Sequence, residues 1–250
     1  MKTLFLVTLF FTYNLIAKDF FHKVDIDEKD TINDVKLLSG KKGDNRYYQG
    51  TLVKVFDRDI ESLKKAINSF DQRCNDEYKE KRKYSDKKKD CKYFNGNVIE
   101  NIIHKELKSY KKNENEVERF LISRRIYNRE EFSQTDLVIV YKTEEEGKEV
   151  QTIFMEMIDK KEAKKYIDPL VDTESAFNRA HGTFKLTALS SKQTKLEYTY
   201  SSRTDHWLIN KSIAAGEVFE SMAKSLNNLF KHLDKESQVL MASYQAQQGK

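Results

Sequence analysis

Between residues 194 and 202, Leu196, Tyr198 and Tyr200 alternate with Lys195, Glu197 and Thr199. A period of two puts one set on each face of a strand, so this segment predicts an antiparallel sheet with one wet face. The same reading gives strands at 46–56, 117–127, 135–141, 150–158 and 177–189, with turn signals at 144–147 and 190–192. A different period follows Asp57 and Asp59, either of which can cap a helix. Ile60, Leu63, Ala66, Ile67, Phe70 and Cys74 fall at helical steps, so one face packs on a core. The longest helix is expected at 206–234, capped by Asp205. Its apolar stripe is Ile209, Ile213, Phe219, Met222, Ala223, Leu226, Phe230 and Leu233. Residues 18–44 are polar with few breakers and read as a short helical lead-in, then a loop at Gly40 and Gly43. Val98, Ile99, Ile102, Ile103 and Leu107 suit a helix or a strand. The tail from Glu236 is polar and is expected to fray.

The N-terminus changes the picture. Lys2 is the only charge before Lys18, and the stretch between them is built on Leu4, Phe5, Leu6, Val7, Leu9, Phe10, Phe11, Leu15 and Ile16. A positive start, a short apolar run and the small Ala17 form the pattern of a cleaved signal peptide over residues 1–17. Leu15 departs from the small residue preferred there. No segment approaches the roughly 18 apolar residues of a membrane span. The expectation is an exported chain, periplasmic or secreted, with a lead-in at 18–43, one α+β domain at 44–235 and a tail at 236–250.

Export bears on the two cysteines, Cys74 and Cys91. In an oxidising compartment such a pair is most simply a disulfide, adding about 3 kcal/mol by loop-closure entropy. The other reading is a two-cysteine metal site, but no His lies between them to complete it. The loop they bound is strongly basic. Lys79, Lys81, Arg82, Lys83, Lys87, Lys88, Lys89 and Lys92 stand against Glu80, Asp86 and Asp90, a local net of +5 in a chain whose formal net charge is also +5. A run of this kind is a solvated face, or it attracts anionic lipid at about 1 kcal/mol per basic residue. Nucleic acid is a poorer partner, because stacking aromatics are not interleaved with these charges.

The order of elements, a strand, a helix, several antiparallel strands and a long terminal helix, is that of a helix-grip fold. Three stretches add to this. Residues 182–189 (GTFKLTAL), 194–200 (TKLEYTY) and 207–215 (WLINKSIAA) resemble the C-terminal signature of START-like lipid-binding domains, where two such strands lead into a Trp-Leu-Ile-Asn helix start. Arg179 matches an arginine often found there. Asn128-Arg129-Glu130 looks like the family's Asn-Arg-Asp turn, with Glu131 before Phe132 as a departure. The family's Pro residues before Trp-Leu and inside the final helix are absent, and the basic loop is not a family feature. The resemblance covers about 44–233.

It implies a cavity between a curved sheet and the terminal helix, holding a lipid or other apolar molecule. Ile153, Met155 and Met157 share one face of their strand and would line it, with Phe219, Met222 and Leu226 opposite. Arg179 and Tyr198 join them as ligand-contact candidates. The plain alternative is a filled core of Met and aromatic side chains. Arg124 alternates with Phe120, Ile122 and Ile126. If those point inward it needs Glu156 or an anionic ligand as partner. If Leu121, Arg125 and Tyr127 form the inner face, or a bulge turns Arg124 out, it does not.

Catalysis has little to stand on. There is no nucleophile elbow, phosphate loop or paired-His zinc motif, and His22, His104, His181, His206 and His232 are scattered. Tyr198, Tyr200, His181 and Glu156 are the acids and bases a cyclase- or dehydratase-type relative would draw on, but nothing selects them. The expectation is a monomeric carrier of an apolar ligand, without metal, cofactor or assigned catalytic residue. A small-molecule enzyme of the same fold and a filled-core interaction domain are the competing readings.

Overall fold

The computed structural model describes residues 21, 23–68, 98–104, 107, 114–128, 130–159, 161–162, 165, 179–205 and 215–248, with backbone alone at 98–102, 124–128, 130–134 and 239–248. The signal at 1–17, the Cys74 and Cys91 pair, the basic stretch 79–92 and the Trp207 helix start lie outside the described residues.

Nine strands form one curved antiparallel sheet. They are β1 (Asp25–Ile32), β2 (Val35–Lys42), β3 (Asn45–Phe56), β4 (Val98–His104), β5 (Glu116–Asn128), β6 (Glu130–Glu145), β7 (Lys148–Ile158), β8 (Arg179–Ser190) and β9 (Gln193–Thr204). Their order is β1-β2-β3-β9-β8-β7-β6-β5-β4. The chain meanders through three strands, crosses to the far edge, and meanders back until β9 docks beside β3. Helix α1 (60–68) follows β3, and helix α2 (Ala215–Gln248) ends the fold.

Residues 25–42 correct the expected helical lead-in: they are the hairpin β1–β2. Asn33 and Asp34 both adopt positive φ, 49° and 67°, the combination a two-residue type I′ turn requires to match strand twist. Val35, Leu37 and Ser39 alternate inward. Strand β1 hid its nature because Asp25, Asp27, Glu28 and Asp30 crowd an edge, where charge discourages pairing with other chains. The ambiguous 98–110 segment begins as the other edge strand, β4. The tail is a second correction, since α2 continues to Gln248 rather than fraying from 236. Its last turns contain no Gly or Pro and are rich in Ala, Gln and Ser, so nothing stops the helix.

Asp59 caps α1: its carboxylate accepts from Ser62 N at 2.8 Å and from Ser62 Oγ at 2.6 Å. Ile60, Leu63, Ala66 and Ile67 enter the main core, as their spacing predicts. From α2, Phe219, Met222, Ala223, Leu226, Leu229, Phe230 and Leu233 enter it too. Each large side chain so buried contributes about 1.5–3 kcal/mol. Helix α2 runs over β1–β3. Its beginning lies at Tyr48, where Phe219 stacks edge-on at 6.3 Å, and its middle at Phe56, where Phe230 packs at 5.8 Å. A smaller cluster of Leu121, Leu137, Ile139 and Ile158 lies on the opposite side of the sheet, joined by Leu107 and Tyr141. The outer face is therefore only partly wet. Among the described residues no helix is long and apolar enough to cross a membrane.

Candidate functional site

Strand register decides which residues share the face toward α1 and α2. Directly paired residues lie on the same face. One row across the sheet is therefore Gly50, Tyr200, Gly182, Met155, Val138 and Phe120. On one side of it runs a row of Leu52, Tyr198, Phe184, Ile153 and Val140. On the other side, Tyr48, Ser202 and Ala180 make one stretch, and Met157, Asp136, Ile122 and Ile103 another.

The surrounding side chains are buried: Tyr48, Leu52, Phe184, Ile153, Val138, Val140, Phe120 and Ile122 all belong to the main core. Tyr200, Met155 and Met157 are different. They keep accessible surface although they sit on interior strands of the sheet. Between them β8 carries only Gly182 and Ala180, so the sheet is shallow there. Yet burial, followed by the charge of Asp136, pushes the Tyr200 hydroxyl up to about 12. Tyr200 is thus half-buried on the inner face, with its hydroxyl desolvated.

Close packing shapes this face of the sheet. A Cβ on Gly182 would stand 2.7 Å from Tyr198 Oη. The missing side chain lets the Tyr198 ring lie across β8 while it stacks on Phe184 at 4.0 Å. At Gly50 a Cβ would stand 2.7 Å from Met222 Sδ, so the absence of a side chain lets α2 settle on β3. At the apolar end, α1 is tied to the sheet where Glu61 Oε1 accepts from Gln151 Nε2.

The opposite end is polar. Arg46 is fully buried, and its Nη2 donates to Asp27 Oδ1 at 3.0 Å, Glu28 Oε1 at 3.2 Å and Ser39 Oγ at 2.9 Å. Among the described residues, its Nε and Nη1 have no hydrogen-bond partner, nor does the buried Ser202 Oγ. Asp136 is also buried there.

The predicted ligand contacts divide accordingly. Ile153, Met155, Met157 and Tyr198 come together on the inner face. Phe219, Met222 and Leu226 do not oppose the methionines as expected: they pack toward Tyr48 and Gly50, because α2 lies over β1–β3 and not over β7. Arg179 is a correction. It pairs in register with Arg203 on the outer face, half exposed, and donates to Glu156. Glu156 lies on that face too, so it cannot be the inward partner considered for Arg124. Phe120 and Ile122 do face the main core while Leu121 belongs to the outer cluster, which places position 124 on the inner face by register with Gln134. Asp136 is the inner-face carboxylate that sequence reasoning missed. Its alternation with Val138 and Val140 was the available signal.

His181 also faces outward, beside Phe154 at 5.8 Å between ring centroids. Burial, then the charge of Arg179, lowers it to about 4. His104 Nε2 lies 3.2 Å from Ser123 Oγ, but Ser123 is buried and no carboxylate among the described residues hydrogen-bonds His104. Among those residues, no group of three or more His, Cys, Asp or Glu side chains is placed to hold a metal. An open groove of about 1070 Å³ lies elsewhere, on the solvent side of α2 beside Ile32 and Asn33. Its lining of Glu217, Glu220, Lys224 and Lys231 is charged and does not suit an apolar molecule.

Sheet order and terminal helix make this a helix-grip fold. No protein-family model matches the chain, and no curated protein matches it in sequence. Among solved structures it is similar to human STARD10, at 11% identity over 94% of this chain and 81% of that one, with a TM-score of 0.49. A STAR-related lipid transfer protein from Xanthomonas axonopodis is similar at 9% identity over 86% and 98%, with a TM-score of 0.42. So is the Zhui aromatase/cyclase from Streptomyces sp. R1128, at 10% identity over 77% and 94%, with a TM-score of 0.43. These are likenesses of chain path, and no residue role passes from them to this chain.

Proposed function

We propose that this protein is an exported carrier that holds an apolar ligand in a recess on the inner face, bordered by Tyr200, Met155 and Met157. The observation that carries the reading is the residual accessible surface of these three residues on the inner face, within a ring of buried aliphatic and aromatic side chains. Ligand sites are typically mostly apolar with a few placed polar groups, and the inner face around these residues has that make-up. Methionine suits such a lining because its unbranched chain adapts to irregular shapes. Export rests on the pattern of residues 1–17. In this reading the basic stretch 79–92 meets an anionic membrane when ligand is exchanged, drawn by lysine charge.

Native mass spectrometry of the protein purified from the exported fraction tests the carrier, followed by solvent extraction of whatever is bound. The expected result is an adduct of lipid size that is lost on denaturation. A bare protein that stays bare after incubation with lipid extract sinks the carrier reading and favours a filled core or a small-molecule enzyme. Replacing the lysines and arginine of 79–92 by Gln is expected to lower binding to anionic vesicles, and unchanged binding removes the membrane role.

A further inference from the structure

We infer that two copies of this chain exchange strand β1, each placing it on the β2 edge of the other to form a domain-swapped dimer. The inference does not depend on the carrier reading.

Strand β1 is loosely committed to its own chain. None of its residues is buried, and of its side chains only Ile32 packs against the main core. Backbone pairs join it to β2 from Asp25–Lys41 to Ile32–Val35. Its anchor to the interior is ionic. The register shifts between Ile26 and Glu28, and the extra residue of such a bulge re-aims a side chain. Asp27 and Glu28 both reach Nη2 of the fully buried Arg46 on β3, at 3.0 and 3.2 Å. A buried cation stripped of such partners is costly, so a β1 that leaves must be replaced by a strand with the same acids. The β1 of a second copy supplies them at the same positions.

The turn supplies the drive. Only Asn33 and Asp34 join β1 to β2, and both stand at positive φ, 49° and 67°. Glycine takes that conformation without steric cost, whereas L residues with a side chain are strained there. Exchange straightens the turn in both chains and releases this strain, while the β1–β2 pairs and the Arg46 contacts are remade between chains. The straightened chain also has an edge to lie on. Among the described residues, β3 pairs with β9 as far as Phe56 but with β2 only as far as Thr51. In continued register position 34 falls opposite Val53, which is 45% exposed. The acidic residues that keep foreign strands off the β1 edge do not oppose exchange, because that edge stays as it was. One contact resists it: Asn227 Nδ2 on α2 donates to Asn33 O at 3.1 Å and holds the turn folded.

The test follows the full chain by size-exclusion chromatography with light scattering, after long incubation over a range of concentrations. The expected result is a slowly exchanging dimer whose share rises with concentration. Asp34→Gly relaxes the turn in the monomer and should weaken the dimer about tenfold, because modest strain is relieved at two hinges. Asn227→Ala releases the turn and should strengthen the dimer. A variant carrying both Thr31→Cys and Lys36→Cys identifies the exchange, since these positions are directly paired and within disulfide reach. After oxidation its dimer fraction should run as a covalent dimer on a non-reducing gel, and its monomer fraction as a single chain. The wild-type chain is the control for Cys74 and Cys91. A chain that stays monomeric up to its solubility limit overturns the inference. So does a dimer that Asp34→Gly leaves unchanged, or one in which the new cysteines bridge only within a chain.

Discussion

Gly50 of β3 lies so close beneath Met222 of α2 that a Cβ on the glycine would fall 2.7 Å from Met222 Sδ and 3.0 Å from its Cγ. This contact sets how deeply the helix settles into the sheet, and every later residue of the α2 stripe, down to Phe230 over Phe56, inherits that depth. Gly50→Ala is expected to destabilise the fold by about 1–3 kcal/mol, the usual range for overpacking. Met222→Ala opens the space that the new methyl needs, so the double variant should lose less than the sum of the two single losses. Urea unfolding of the four proteins measures this coupling. Additive losses mean that the helix does not rest on Gly50.

Asp59 gives a pH-dependent cap. Burial raises its pKa, but the hydrogen bonds from the Ser62 hydroxyl and from backbone amides outweigh burial and leave it below the ordinary carboxylate value. A folded-state pKa below the unfolded one adds stability that is present above the unfolded value, near 4, and lost as pH falls through the folded value. Asp59→Ala should cost about 1 kcal/mol at neutral pH. The gap between wild type and Asp59→Ala should narrow below about pH 4. A gap that stays constant down to the acid transition is evidence against the charged cap.

His181 acts over a higher window. Enclosure on the outer face, beside Phe154 and near the Arg179 charge, lowers it from 6.5 to about 4. The unfolded chain takes up this proton near pH 6.5 while the folded one refuses it until about 4, so stability drains away as pH falls between those values. The full effect is roughly 3 kcal/mol for a shift of this size. His181→Gln removes the titration. Stability measured by urea unfolding from pH 7 to pH 4 should decline less steeply in the variant, and parallel curves for the two proteins reject the account.

These cases show where local pattern suffices. The cap at Asp59 and the core positions Ile60, Leu63, Ala66 and Ile67 were legible, because a cap and a helical stripe are properties of neighbours in the chain. So were β5, β7 and β9 and the parity of Ile153, Met155 and Met157, because alternation is local as well. The hairpin β1–β2 escaped notice because its edge strand carries acidic residues where a buried strand carries apolar ones. Arg179 was assigned to the ligand site by resemblance, whereas its odd offsets from Ala180 and Gly182, one and three residues, put it on the other face.

By itself, then, the sequence determined the α+β class, the alternating strands and the apolar stripe of the last helix, all of which follow from periods of two and 3.6 residues. Which side of each strand faces inward, and which residue lies across from which, was decided only by tertiary structure. Register joins Gly50, Tyr200, Gly182 and Met155 into one row although they lie far apart in the chain. It also brings Tyr200 within the field of Asp136 from another part of the sheet. The physical reason is that the inner face is assembled from several strands. Its make-up depends on the register between elements, and no period along one element encodes that register.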